Sequence, residues 1–464
     1  MELIGKWILI VLLEIAGLGG AVQTISGQAA AESAPQAVSA EDSAEGEMGI
    51  ISGMERHILA MLDGLVYIPS AYADLEVQNM ASVGEVAFPV FVVEFQDVKY
   101  TDSKVDPEEV RRWVFGEDDE SVAGFYYISS YGRLQMEGDV YYYTAQGNIA
   151  DYESNAGVEA LVMEMLDYYD EEVDFSQYDI NGDELLDTLI LSVPIGGDSS
   201  FWWAAQHTWY ENWGYSVDGV FPLKYIVSDE QPYQKTRTYY VSTLRHELGH
   251  CMGLPDYYKY NYTGVDFEGL HGLAGKEMMD DSQGDFSQFS KLQLGWLTRE
   301  QVQIMPDDAQ RMTFSLPPAV QGGCVLIFPP GQEPNFQGEY FLVEYITPEG
   351  YHKGTFSQGG VRVLHVQAEM MTQDGYYYSY KYNNFSPYYD SSNNGIRVLK
   401  LVNDGNGFYH EGDVVTFENT GGAAGNFGWY TEEGTITDPG FEIRIGEMQE
   451  DGAIEIEVIR KTGW

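Results

Sequence analysis

Hydrophobic and polar residues follow two different patterns along this chain of 464 residues. In the first pattern, apolar runs of strand length alternate with segments whose apolar residues recur at helical spacing. The predicted strands cover residues 86–95, 134–143 and 186–193, and the predicted helices cover residues 107–115, 120–130 and 158–169. This alternation continues to about Trp296 and is typical of an α/β (α+β) domain.

The second pattern begins after Thr298 and consists of short apolar runs separated by Gly, Asn, Asp and Pro. Strands are predicted at residues 324–328, 340–345, 361–366, 396–402 and 454–459. Few helical repeats remain, which favours an all-β, sandwich-like domain. We therefore predict one domain at residues 85–300 and a β-rich C-terminal domain at residues 301–464.

The N-terminal segment resembles a secretory signal peptide. Lys6 precedes an apolar run at residues 7–22, and the small residues at 29–31 suit cleavage. Glu14 interrupts this run, which is shorter than the roughly 20 residues that a membrane span needs. We therefore predict a signal peptide at residues 1–31, secretion to the extracellular space, and no stable membrane span after cleavage. Residues 32–84 are predicted to be a linker or pro-segment, with one helix at 50–65.

Charge and cysteine content narrow the classes of partner. The chain has 73 acidic and 24 basic residues and a formal net charge of −49. Such a surface repels nucleic acid and anionic membranes, so neither is an expected partner. The two cysteines, Cys251 and Cys324, allow one disulfide at most, and the sequence leaves open whether they form it or stay as free thiols.

The segment 246–256 reads HELGHCMGLPD and contains the residue types of a metal site. In a helix, residues four apart lie on one face, so His246 and His250 can present two imidazoles to one metal ion. Glu247 lies about 100° further round the helix, where a carboxylate can reach a water on that ion without displacing it. Two ligands and a base are thus predicted on one helical turn.

The residues that follow predict a third ligand. Gly253 can adopt a positive φ that turns the chain sharply out of the helix, and Pro255 prevents the helix from continuing. Asp256 then follows, where a reversed chain can offer a carboxylate. Two imidazoles and one carboxylate leave a fourth position for water, as in catalytic zinc sites. The alternative is an exposed amphipathic helix with Asp256 capping a turn.

Two adjacent methionines lie downstream of this segment. In metzincin-type proteases a turn that contains a methionine runs beneath the metal and provides an apolar floor. Met279 is the residue predicted for this Met-turn, with Met278 as the alternative.

At this point the chain resembles the immune inhibitor A family of secreted bacterial metalloproteases, which carries HExxHxxGxxD. Other similar segments lie at residues 92–97, 125–134, 286–296, 339–345 and 411–413, so the resemblance spans about residues 85–460. The resemblance implies a metzincin-like zinc protease domain, endopeptidase activity, export and stabilisation by calcium. It assigns His246, His250 and Asp256 to zinc and Glu247 to catalysis. Cys251 and Met252 are unusual within the motif.

An acidic segment at residues 179–187 is a candidate for a structural calcium site. Its oxygen ligands fall at alternating positions, namely the side chains of Asp179, Asn181, Asp183 and Asp187 and the carbonyl of Leu185. The position of its glycine and the lack of a closing Glu distinguish it from an EF-hand. The alternative is an acidic turn before a strand.

Together these features predict a zinc-dependent endopeptidase that acts on protein or peptide substrates, with Glu247 as the general base. Tyr257, Tyr258 and His271 are candidate donors to the oxyanion, and the sequence does not choose among them. One rival is a thermolysin-type or glycoprotein-directed peptidase, in which a downstream Glu replaces Asp256. The other is a catalytically inactive, calcium-dependent surface-binding or adhesion protein.

Overall fold

The computed structural model of the chain describes residues 80–100, 107–194, 201–228, 237–258, 272–332, 334–373, 376–382, 396–403 and 407–461. The predicted signal peptide, the predicted helix at 50–65 and His271 lie outside these residues. No helix in the described ranges is both long enough and apolar enough to cross a membrane.

Strands outnumber helices in the described part of the chain, and the fold is mixed α/β. The helices are α1 Pro107–Phe115, α2 Val122–Ser129, α3 Asn155–Tyr169, α4 Arg237–Cys251, α5 Met278–Asp281 and α6 Gln288–Gln293. The strands are β1 Gly84–Ala87, β2 Val90–Glu94, β3 Leu134–Glu137, β4 Val140–Thr144, β5 Ile190–Ser192, β6 Ala205–Thr208, β7 Lys224–Ser228, β8 Val302–Ile304, β9 Arg311–Leu316, β10 Cys324–Ile327, β11 Glu339–Ile346, β12 Gly360–Gln367, β13 Met370–Gln373, β14 Tyr376–Tyr380, β15 Leu399–Leu401, β16 Val414–Val415, β17 Trp429–Tyr430, β18 Ile436–Thr437, β19 Phe441–Met448 and β20 Ile454–Arg460.

The three helices predicted from apolar spacing before residue 170 are confirmed as α1, α2 and α3. Two of them begin at a serine whose side chain caps the first turn. The Ser121 hydroxyl accepts a hydrogen bond from the Gly124 amide, and the Ser154 hydroxyl accepts one from the Gly157 amide. Each cap satisfies an amide that has no partner within its own helix.

Two of the predicted strands are each broken into two. Residues 86–95 form β1 and β2, which are separated at Pro89, a residue with no N–H to donate to a sheet. Residues 134–143 form β3 and β4, which are separated at Gly138. A side chain could not replace this glycine, because a Cβ would lie 2.0 Å from the Phe88 carbonyl oxygen. The breaks face each other, so β1 pairs with β3 while β2 pairs with β4.

The first large sheet has the strand order β4-β2-β5-β7-β6. Its strands are parallel except for β6, which runs antiparallel to β7 at the edge. Successive residues of β2 point to opposite faces. Val92 packs in the cluster that contains Leu248 of α4, and Phe91 packs in the cluster that contains Leu161 of α3. The sheet therefore lies between α3 and α4.

After residue 300 the described residues form strands and short 3₁₀ turns, as predicted. One sheet has the order β15-β12-β11-β10-β8 and another has the order β16-β19-β20-β9. They pack face to face through a cluster that includes Val325 and Ile443. The next residue of β10, Leu326, instead joins the cluster that contains Leu248. The apolar core thus continues across residue 300, and the domain boundary there stays a prediction.

Candidate metal centre

Helix α4 carries both histidines and Glu247 of the motif. It packs on the sheet through its apolar face, where Leu244 and Leu248 are fully buried. Its end agrees with the prediction made for Gly253, which has φ 98°. The Leu254 amide then donates back to the Gly249 carbonyl at 3.1 Å, which closes the helix as the chain reverses.

This reversal brings Asp256 to the two imidazoles. Asp256 Oδ1 lies 2.9 Å from His246 Nε2 and 3.3 Å from His250 Nε2. The three side chains each place a ligand atom within 4.8 Å of the others, and they are the only such group of His, Cys, Asp or Glu in the described ranges. His246 is 5% exposed and Asp256 is 3% exposed. The protein therefore gathers three metal-binding side chains in a largely buried position.

The backbone determines which ring nitrogens face this position. His246 Nδ1 lies 2.7 Å from the Met278 carbonyl oxygen, and His250 Nδ1 lies 2.7 Å from the Leu254 carbonyl oxygen. A carbonyl oxygen only accepts hydrogen bonds, so each Nδ1 must carry the proton. Each Nε2 is then the atom available to a metal ion, which is how metal-binding histidines are oriented in proteins. Two imidazoles and a carboxylate fit zinc.

The ionisation of the metal-free group follows from its burial and from its internal pairing. Burial lowers the pKa of His246, but the hydrogen bond and the charge of Asp256 outweigh burial and raise this pKa to about 9. Burial raises the pKa of Asp256, but the imidazoles of His250 and His246 hold it well below its usual range. A buried carboxylate is thus neutralised by protons on Nε2, and a cation would take the place of those protons.

Glu247 lies beside this group and is held by the edge strand. Its side chain is buried, and Oε2 accepts a hydrogen bond of 2.7 Å from the backbone amide of Gln206 in β6. Sequence patterns did not predict β6 or this role for Gln206, because a strand of four half-buried residues has no clear alternation. Glu247 therefore has a fixed orientation relative to the edge of the sheet.

The two methionines contact α4 in different ways. A Cβ built on Gly249 would lie 2.5 Å from Met279 Sδ, so this sulfur packs against the helix between the two histidines. Met278 contributes its carbonyl oxygen, which accepts the Nδ1–H of His246. Met279 was the residue predicted for the Met-turn and Met278 its alternative, and both contact the motif helix.

The candidate oxyanion donors are placed differently from one another. Tyr257 is fully buried, and its hydroxyl lies 2.8 Å from Ser290 Oγ, on the inside of the fold. Its position argues against a contact with substrate. The Tyr258 ring is half-buried and stacks on the His246 ring with 6.2 Å between centroids. Of the candidates in the described residues, Tyr258 is the one at the site.

The acidic segment 179–187 folds onto its own backbone. The carboxylate of Asp179 accepts hydrogen bonds from the amides of Asp183 and Glu184 at 3.0 and 2.9 Å. Asp183 Oδ1 accepts from the Leu185 amide at 3.0 Å, and Asp183 Oδ2 accepts from the Asn181 side-chain amide at 3.1 Å. Most of the predicted ligand oxygens are therefore already bound by N–H groups.

Asp187, the last predicted calcium ligand, faces a neighbouring strand. Its Oδ2 accepts a hydrogen bond of 3.0 Å from the Ala87 amide in β1. The carboxylates of the segment do not come together as a metal-binding group in the described residues. Calcium at this segment is unsupported, and its geometry is that of an acidic turn, the alternative considered above.

Both cysteines are buried and free. Burial raises the pKa of Cys251 to about 11, so the thiol next to His250 stays neutral at ordinary pH. Its Sγ lies 3.5 Å from Thr188 Oγ1 and is not among the atoms that group with the three ligand side chains. The disulfide that the sequence left open is not formed.

Comparisons with known proteins add little. No protein-family model matches the chain, and no curated protein matches it. One matching solved structure is a catalytically inactive OgpA from Akkermansia muciniphila in complex with an O-glycopeptide, glycodrosocin. The match has a TM-score of 0.24 and 13% sequence identity, and it covers 65% of this chain and 88% of that chain. A likeness this weak carries no argument about the activity of this protein.

Proposed function

We propose that this chain is a secreted zinc-dependent endopeptidase that hydrolyses peptide bonds of extracellular proteins. The observation that carries the proposal is the convergence of His246 Nε2 and His250 Nε2 on the carboxylate of Asp256. Glu247, on the same helix, supplies the base that such a reaction needs. Zinc, when bound by the three side chains, would act as a Lewis acid that activates water and polarises the scissile carbonyl.

The protein itself contributes orientation and proton transfer. The carbonyls of Met278 and Leu254 hold the two imidazoles in the tautomer that exposes Nε2. Glu247 accepts a proton from the attacking water and donates it to the leaving amine, which fits a carboxylate held at one place by the Gln206 amide. A rigid base lowers the barrier because little reorganisation is needed during the reaction.

Strand β6 is the natural binding edge for a peptide. In the described residues it pairs with β7 alone, and no strand pairs with its second edge, where the Gln206 amide donates to Glu247. An extended peptide can add to such an edge through backbone hydrogen bonds. Because the Gln206 amide of this strand contacts Glu247, a peptide on β6 would pass directly by the proposed base.

The two rival functions differ from the proposal in what they require of the site: one needs a different third ligand, and the other needs no catalytic base. A thermolysin-type site would take its third ligand from a Glu on a second helix, whereas here Asp256 reaches both imidazoles directly after the chain reversal at Gly253. A catalytically inactive binding protein has no need for a base beside the three ligand side chains. The geometry therefore favours a peptidase with Asp256 as the third zinc ligand.

The test is bound zinc and casein cleavage for the wild type, Glu247→Gln, Asp256→Ala and a control, Asp183→Asn. We expect Glu247→Gln to keep zinc but to lower kcat by roughly 100- to 10,000-fold. Asp256→Ala should lose zinc and activity together, and the control should keep both. Unchanged cleavage by Glu247→Gln would refute the mechanism, and full zinc occupancy in Asp256→Ala would refute the third ligand.

A further inference from the structure

Glu277 is a fully buried carboxylate directly before the two methionines. Oε1 accepts hydrogen bonds from the Ser287 amide at 2.9 Å, the Ser287 hydroxyl at 3.2 Å and the Ser290 hydroxyl at 2.7 Å. Oε2 accepts from the Met279 amide. Burying a carboxylate is unfavourable unless hydrogen-bond donors surround it. Here four donors stabilise the buried carboxylate of Glu277.

The Met278–Met279 peptide group joins this carboxylate to the metal centre. Its N–H donates to Glu277, and its carbonyl oxygen accepts the Nδ1–H of His246 at 2.7 Å. A trans peptide unit is planar, with N–H and C=O pointing in opposite directions. Fixing the N–H therefore fixes the carbonyl, and a charged acceptor on one side polarises the hydrogen bond on the other.

A second path leads from Glu277 to the other side of the centre. The Ser290 hydroxyl, which donates to Glu277, also lies 2.8 Å from the hydroxyl of Tyr257, the residue after Asp256. The Tyr257 amide donates to the Met279 carbonyl at 2.9 Å. Glu277 is thus connected both to His246 and to the backbone that carries Asp256.

We propose that Glu277 is a positioning residue, which holds the Met278–Met279 peptide group so that its carbonyl orients the imidazole of His246 for metal binding. The inference rests on the proposed function, since it concerns the same zinc site. Carboxylates that orient metal-binding histidines usually contact the imidazole directly. Here a backbone peptide group stands between the two.

The chemistry requires a carboxylate and not merely a polar group of the same size. The Met279 amide binds Oε2 of Glu277 and the Ser287 amide binds Oε1, and an amide N–H can only donate a hydrogen bond. A glutamine would present its NH₂ group to one of these amides, whichever way it turned. Glu277→Gln therefore breaks either the link to the peptide group itself or the link to Ser287 that holds the side chain in place beneath it, and either loss should disturb the peptide group.

The experiment measures the zinc dissociation constant by competition with a chromophoric chelator at about pH 8. Burial raises the pKa of Glu277 to about 7, so the carboxylate is ionised under these conditions. We expect Glu277→Gln to weaken zinc binding by roughly 10- to 100-fold, the usual effect of losing an orienting partner. The matched control is Glu339→Gln, which removes a carboxylate paired with His365 and leaves the Met278–Met279 peptide group untouched.

Two further readouts separate positioning from general destabilisation. In zinc-free protein labelled with ¹⁵N-histidine, Glu277→Gln should change the Nδ1–H signal of His246 while the control does not. At saturating zinc, the KM for casein should stay at the wild-type value, because Glu277 does not touch substrate. If Glu277→Gln does not fold, Ser290→Ala removes one donor to the carboxylate and should weaken zinc binding in the same direction, to a smaller extent.

The outcomes distinguish this inference from the proposed function. A wild type that binds no zinc refutes both. A wild type that binds zinc, together with folded Glu277→Gln and Ser290→Ala variants of unchanged affinity and unchanged His246 signal, refutes the role of Glu277 alone.

Discussion

Two segments of this chain have the residue types of a metal site, but their side chains are arranged differently in the folded protein. At residues 246–256, the two imidazole Nε2 atoms converge on one carboxylate oxygen of Asp256. At residues 179–187, the carboxylates of Asp179 and Asp183 accept hydrogen bonds from amides of their own turn. The first segment presents ligand atoms to a common point, and the second uses them to hold its backbone.

The difference arises from what the backbone does with each side chain. A histidine has two ring nitrogens, so the carbonyls of Met278 and Leu254 can occupy each Nδ1 and still leave each Nε2 for an ion. In a tight acidic turn, short Asp side chains bind the nearest amides. Ligand residues at suitable spacing in the sequence are therefore not enough to make a metal site. Whether they do so depends on which of their atoms the backbone already binds.

The largest expected effect separates the two segments by zinc affinity. His250→Ala removes one of three ligands and should weaken zinc binding by roughly 100-fold or more. Asp183→Ala, in the acidic turn, should leave zinc binding unchanged. Isothermal titration of zinc into the two variants measures both affinities. Equal losses of zinc affinity would contradict the difference between the two segments.

A smaller effect is expected at the contact between α4 and Met279. In Gly249→Ala the new Cβ would lie 2.5 Å from Met279 Sδ, so the methionine must move. Overpacking of this kind costs about 1–3 kcal/mol, against which the better helix propensity of alanine offsets about 1 kcal/mol. Urea unfolding should show a net loss of stability, and zinc affinity should fall.

The control for this variant is Gly214→Ala, whose Cβ would meet nothing within 4 Å. Equal zinc affinity in Gly249→Ala and Gly214→Ala would contradict a supporting role for Met279.

The pH dependence of stability should have opposite signs in the two segments. In metal-free protein, the pKa of Asp256 lies well below its usual range because the imidazoles of His250 and His246 outweigh burial, which by itself raises it. Its contribution to stability is present above the unfolded pKa of about 3.9 and is lost as the pH falls. Burial raises the pKa of Asp179, so its contribution is present at low pH and is lost as the pH rises.

Unfolding free energies between about pH 3 and pH 5 test this difference in sign. The destabilisation caused by Asp256→Asn should grow with pH, and that caused by Asp179→Asn should shrink. Slopes of the same sign in both variants would contradict the account.

The smallest expected effect is that of calcium. Zinc at a hundred times its dissociation constant should stabilise the protein by about 2.7 kcal/mol. Calcium should leave the melting temperature unchanged, relative to magnesium at equal ionic strength, because most of the ligand oxygens of the acidic turn are already hydrogen-bonded. A melting temperature that rises with calcium in the wild type but not in Asp183→Asn would be evidence for a calcium site at residues 179–187.

The sequence predicted the elements that depend on local patterns. The first three helices and five of the strands after residue 300 follow from apolar spacing, whereas others such as β9 and β19 were missed. The helix end at Gly253 follows from the φ that glycine allows. The breaks at Pro89 and Gly138 were missed, because an apolar run does not show where a strand changes its partner. That change is decided by the facing strand, which also breaks.

The parts of the site that were not predicted are backbone contacts between distant segments. The Gln206 amide and the Met278 carbonyl act through main-chain atoms, so their residue types give no signal. Glu277 had no signal either, because its four donors come together only when α6 packs beside the turn. Side-chain ligands can be read from a motif, whereas the groups that orient them depend on tertiary structure.

The central claim is that His246, His250 and Asp256 hold one zinc ion. Its most direct test is X-ray absorption at the zinc edge on protein loaded with one equivalent of zinc. The account predicts only nitrogen and oxygen neighbours, at about 2.0–2.1 Å, with the scattering pattern of two imidazoles. A sulfur neighbour at about 2.3 Å would place Cys251 or Cys324 at the metal and contradict the claim, as would fewer than two imidazoles.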